Sequence, residues 1–271
     1  MTSLLMVSKD WQGKGRNVTH DFSRKSAVAG AGGQSALGLE LSAFMKSAAE
    51  RDGKMRARRN PGDGDYSLGE EIANAISHGV GAALSVAALV LLIVAAVGAG
   101  GGVYLLAAIV YGVALLFEFT MSTLYHAIPA RRAKRVFKVL DHSGIYVLIA
   151  ATYTPFCLIT LAEAGGYLLA AFVWVVALAG IAIEAFWTYR PRWISAIIYV
   201  LLGWSVVAFV PQLVAALPTT GLVLLIVGGV CYTVGAVFYV LKKIPYMHFV
   251  FHLFVLAGAI FHFFAVLLFV L

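Results

Sequence analysis

The 271-residue chain is 61% hydrophobic, has a mean hydropathy of +0.90 and carries charge on only 12% of its residues, far beyond the roughly 45–50% apolar share of an ordinary globular domain. That excess excludes a water-soluble fold. The formal charge of +7 is unevenly spread, with 11 of the 20 Lys and Arg in the first 65 residues.

Residues 1–65 are rich in Ser and Gly and contain no long apolar run, and Leu4 to Val7 is too short for the core of a secretory signal. They read as a basic, disordered cytoplasmic arm. A transit peptide is the competing reading, because Asp10 and Asp21 are the only acids before Glu40. Leu37, Leu41, Phe44, Met45 and Ala48 form one helical stripe, so an amphipathic helix is expected at 36–49. Lys46, Arg51, Lys54, Arg56, Arg58 and Arg59 make it basic, which favours anionic lipid headgroups. A solvated tail is an equal alternative, since short isolated helices are marginal. No nucleic-acid partner is expected, because a basic run beside a membrane already has one in the lipid.

Pro61 to Asp65 reads as a linker, and Ser67 three residues before Glu70 is a capping box that opens a helix. From there to residue 271 the chain divides into seven apolar segments, at about 70–97, 103–126, 141–161, 167–187, 193–216, 221–241 and 246–271. Each is close to the roughly 20 residues a spanning helix needs. The fold class expected is therefore all-α, an integral membrane bundle of seven transmembrane helices over residues 66–271. Pro155 should kink the third segment, and Pro211 lies inside the fifth.

Beyond residue 65 the nine Lys and Arg fall only in the links after segments 2, 4 and 6. The positive-inside rule then puts the N-terminus and those links in the cytoplasm and the C-terminus outside. This orientation brings polar residues of four segments to one depth. His248 and His252 begin segment 7, His126 ends segment 2, Asp141 and His142 begin segment 3, and Glu71, Asn74 and His78 share a face of segment 1.

His248 and His252 lie four residues apart, about 40° around a helix and about 6 Å along it. With His126 they would supply three nitrogens to a Zn²⁺ whose fourth position holds water, the arrangement of catalytic zinc. Asp141 would hold that water or accept from a ligand imidazole. Ser122, four residues before His126 on the same face, would orient the site. Hydrogen bonding of each His to a neighbouring helix is the plainer alternative. His262 lies about 15 Å deeper than His252 and cannot join the same ion. Glu118, on the Ser122 face, reads equally as a structural carboxyl or a proton relay, and Glu184 as an interfacial group near Arg190 or water. Cys157 and Cys231 sit in apolar segments and read as packing residues.

Taken together, the run Glu70-Glu71-Ile72-Ala73-Asn74 through His78, Ser122-Thr123-Leu124-Tyr125-His126, Asp141-His142-Ser143-Gly144-Ile145-Tyr146 with Thr152-Tyr153-Thr154-Pro155-Phe156, and His248 with His252 resemble the hemolysin III family of bacterial membrane proteins. That family belongs with the progestin and adipoQ receptors, adiponectin receptors included. The resemblance covers about residues 67–271. It implies seven helices with an inner N-terminus, zinc at His126, His248 and His252 with Asp141 nearby, and residence in a bacterial cytoplasmic membrane. A wider kinship with alkaline ceramidases makes a lipid amide or ester hydrolase one expectation. A pore or ion-linked protein, and a receptor or sensor with structural zinc, are the others.

Overall fold

In the computed structural model the described residues are 66–271, apart from 188, 189, 242 and 243, together with Ser47. The amphipathic stripe expected at 36–49 therefore lies outside the described residues, Ser47 excepted. The helices in chain order are α1 (Leu68–Gly98), α2 (Val103–Ala127), α3 (Arg131–Pro155), α4 (Gly166–Phe186), α5 (Arg192–Gly203), α6 (Val210–Ala216), α7 (Thr219–Val240) and α8 (Met247–Phe269). With the third span running Arg131–Thr160 and the fifth Arg192–Ala216, seven segments are long and apolar enough to cross a membrane.

The outer surface of the bundle is apolar, and its interior combines an apolar core with buried polar side chains. Leu168, Leu201 and Leu268 are exposed, whereas Asn74, Ser122, His252 and Glu184 are at most 1% exposed. In water this arrangement would place apolar surface against solvent, so lipid is the environment it fits. The helices close a ring in which α1 packs on α2, α2 on α3, α3 on α5, α5 on α7, α7 on α8 and α8 on α1. Helix α4 lies against α3. The third span is the central one, with 67% of its most apolar window buried against 17% to 44% for the others.

Three local features set the positions of the polar residues. The expected capping box is present, with Glu70 N–H donating to Ser67 Oγ at 3.3 Å and Ser67 N–H to Glu70 Oε2 at 2.9 Å. Glu70 Oε1 also accepts from the backbone of Tyr246 at 2.9 Å, so the start of α1 is tied to the start of α8. Tyr246 itself turns the chain in the left-handed region, at φ 61°.

The third helix starts ten residues before the expected Asp141. Arg131 to Lys138 form its first two turns, charged enough to escape a search for apolar runs. At its other end Pro155 lacks the N–H for an ordinary helical bond, and the chain widens into a π-turn at Phe156–Thr160.

The fifth span breaks before Pro211, at the 3₁₀ segment Ser205–Phe209. There the Tyr153 hydroxyl supplies the missing bonds, contacting Leu202 O at 3.1 Å and Gly203 O at 2.6 Å and accepting from Val206 N–H at 3.0 Å. Irregular backbone at membrane depth needs such internal partners.

Candidate metal centre

Two helices deliver the three histidines. His126 closes α2, and His248 and His252 occupy the first two turns of α8. All three are buried, and one nitrogen from each lies within 4.8 Å of the other two. His248 Nε2 and His252 Nε2 are 3.2 Å apart. Ligands on a tetrahedral zinc with bonds of about 2.0–2.1 Å stand about 3.3 Å from each other, so this pair already has the separation that one ion imposes.

Two of the outer nitrogens are held by α1, while His248 Nδ1 is buried without a hydrogen-bond partner among the described residues. His126 Nδ1 lies 2.7 Å from Glu71 Oε2, and Lys134 Nζ donates to Glu71 Oε1 at 2.7 Å. A carboxylate oxygen accepts, so His126 Nδ1 carries the hydrogen and Nε2 is left with its lone pair. That Nε2 is buried without a hydrogen-bond partner among the described residues. His252 Nδ1 lies 3.3 Å from Asn74 O and 3.2 Å from Ser77 Oγ, and the carbonyl likewise fixes the hydrogen on Nδ1. A hydrogen-bonded outer nitrogen and a bare inner one is how metal-binding imidazoles are set, and the residues present fit a divalent ion on these grounds.

Aromatic rings complete the walls. Tyr66 stacks on His248 with centroids 4.9 Å apart, and His78 stacks on His252 at 3.6 Å. Arg192 donates to the Tyr66 hydroxyl at 2.7 Å and lies over the Tyr239 ring. Burial pushes the Tyr66 phenol above its usual range, against the pull of Arg192, so the hydroxyl keeps its proton.

The remaining expected residues divide. Ser122 and Asp141 are buried, and the Ser122 hydroxyl has no hydrogen-bond partner among the described residues. Asp141 is outside the three-nitrogen group, and the imidazole-orienting part assigned to it as one option belongs to Glu71. Glu184 pairs with Arg190 as expected, 2.6 Å from its Nη1, and is fully buried in the bundle, 2.9 Å from His142 Nδ1. Cys157 and Cys231 are free thiols. Glu71 and Tyr66 are the contributors that spacing alone did not single out. Glu71 had a signal in its shared face with Asn74 and His78, while Tyr66 lies outside every apolar segment and offered none.

The family model described as Haemolysin-III related matches residues 66–263. The chain belongs to the haemolysin-III-related family. Among curated relatives of this haemolysin-III-related chain, Hemolysin-3 of Bacillus cereus is 44% identical over 202 residues, covering 74% of this chain and 92% of its own. The Hemolysin-3 homolog of Bacillus subtilis (strain 168) is 43% identical over 202 residues, covering 74% and 95%. The human monocyte to macrophage differentiation factor is 30% identical over 167 residues, covering 58% and 67%. No solved structure matches significantly. The matched span includes the whole histidine cluster and omits the basic N-terminal residues.

Proposed function

We propose that this haemolysin-III-related protein is a zinc-dependent hydrolase of a lipid amide or ester, seated near the cytoplasmic leaflet of a bacterial inner membrane. The observation that carries the reading is the bare, buried Nε2 of His126 facing the 3.2 Å pair of His248 and His252. Burial of polar atoms without partners is costly, and a cation gives all three a use.

Zinc held by these three nitrogens would supply a water of lowered pKa and would polarise a carbonyl. The chain does the rest. Glu71 and Asn74 orient His126 and His252, and Asp141 takes up and returns a proton at its carboxylate. An aliphatic chain would have its place in the apolar cavity whose lining includes Tyr239 and Phe251. The basic N-terminal residues would add attraction to anionic headgroups on the same face.

The test is to purify the protein and Asp141→Asn, measure bound zinc, and follow fatty-acid release from amide- and ester-linked lipids. Stoichiometric zinc in both, with release by the unmodified protein only, is expected. Zinc retained with no release by either would leave the metal structural and end the enzyme reading.

A further inference from the structure

The cavity between α2, α3, α5, α7 and α8 has a volume of about 110 Å³. Its wall is mostly aliphatic and aromatic, and most polar groups on it are already bonded. Thr152 donates to Leu148 O, Tyr199 to His142 O, Trp204 Nε1 to Thr233 Oγ1 and Thr233 to Gly229 O, while Tyr153 serves the broken fifth span.

Three atoms on this wall have no partner among the described residues: Glu118 Oε2, the Tyr232 hydroxyl and His262 Nδ1. Glu118 is 2% and His262 8% exposed. They come from α2, α7 and α8, so no single helix gathers them by its own period. Room is made for two of them by glycine: a Cβ at Gly144 would collide with the Glu118 carboxyl, and one at Gly228 with the His262 ring. The rings of Tyr232 and His262 are 5.3 Å apart.

Their chemistry narrows the ligand. His262 Nε2 lies 3.0 Å from Leu225 O, and a carbonyl only accepts, so Nε2 carries the hydrogen and Nδ1 is an acceptor. Whatever satisfies it must donate. A carbonyl or ether oxygen cannot, and an alkyl chain offers nothing. A hydroxyl donates to His262 Nδ1 and keeps two lone pairs for the Tyr232 O–H. One lone pair then remains, and a protonated Glu118 carboxyl can donate to it.

We infer that this cavity binds an aliphatic molecule whose chain fills the apolar wall and whose hydroxyl is held by His262, Tyr232 and Glu118. His262 is ten residues beyond His252, about 15 Å along the helix, so this hydroxyl subsite is distinct from the histidine cluster. It does not depend on hydrolysis there.

The experiment uses the full chain in lipid nanodiscs and two photoreactive fatty acids of equal length, one with a terminal hydroxyl and one with a terminal methyl. Labelled peptides are mapped by mass. One to two hydrogen bonds gained correspond to a preference of about five- to thirtyfold. The hydroxyl probe should label α7 and α8 with that preference. In Tyr232→Phe and His262→Phe the preference should fall toward one, with bound zinc unchanged. Equal labelling by both probes in the unmodified protein, or a preference that survives Tyr232→Phe and His262→Phe, overturns the proposal and leaves the three atoms to buried water. Should His262→Phe fail to fold, Tyr232→Phe, which removes one oxygen, decides alone.

Discussion

Glu71 joins a lysine on the face of α3 to a histidine at the end of α2, and through that imidazole it acts on the cluster. Its carboxylate fixes the His126 tautomer and raises the basicity of the nitrogen that faces the other two rings. Loss of such a partner commonly costs about 10–100-fold in metal affinity. Glu71→Gln should therefore lose zinc to a graded chelator at correspondingly lower chelator concentration, while the purified fold persists. Retention curves that superimpose would remove Glu71 from the metal site. A buried carboxylate can also be purely structural, and Glu184 provides that contrast. It sits between His142 Nδ1 and Arg190 Nη1 with side chains 10% and 1% exposed. Removing one partner of a buried ion pair costs about 3–5 kcal/mol. Glu184→Gln should thus lower the thermal unfolding midpoint in detergent clearly while leaving zinc content intact. An unchanged midpoint would mean that water already compensates the pair.

At the level of elements, the histidine cluster depends on where helices start and stop. The α8 histidines meet α1 because Glu70 caps its own helix with one oxygen and holds the Tyr246 backbone with the other. His126 is placed by the end of α2, two residues before the chain leaves the helix at Ile128. Apolar runs and link charges were enough to read seven spans and the common depth of His126, His248 and His252, because spanning length and hydrophobicity are fixed by the bilayer. They were not enough for the first turns of α3, where Arg131 to Lys138 are helical without being apolar, nor for the break at Ser205–Phe209. That break depends on Tyr153, fifty residues away in sequence, which supplies the bonds the backbone lacks. The tie between Glu71 and His126 was hidden for the same reason. A side-chain contact across 55 residues leaves no period in the chain.

For the whole molecule, the leaflet that holds the histidine cluster is set by the orientation of the bundle. The nine basic residues beyond position 65 all lie in the links after the second, fourth and sixth spans, and the histidine cluster is at the ends of helices joined by those links. Reversing the bundle would carry the cluster, and any zinc, to the opposite face, with a different supply of metal and substrate. Ala130, in the link after α2, and Ala99, in the turn after α1, are both exposed and stand at opposite ends of the bundle. In a chain whose Cys157 and Cys231 are replaced by alanine, Ala99→Cys should react in intact cells with a membrane-impermeant maleimide. Ala130→Cys should react only after the membrane is opened, because basic links are retained on the cytoplasmic side. The opposite pattern would move the metal site to the outer leaflet, and the basic N-terminal residues would then face away from the cytoplasmic lipids they are suited to bind.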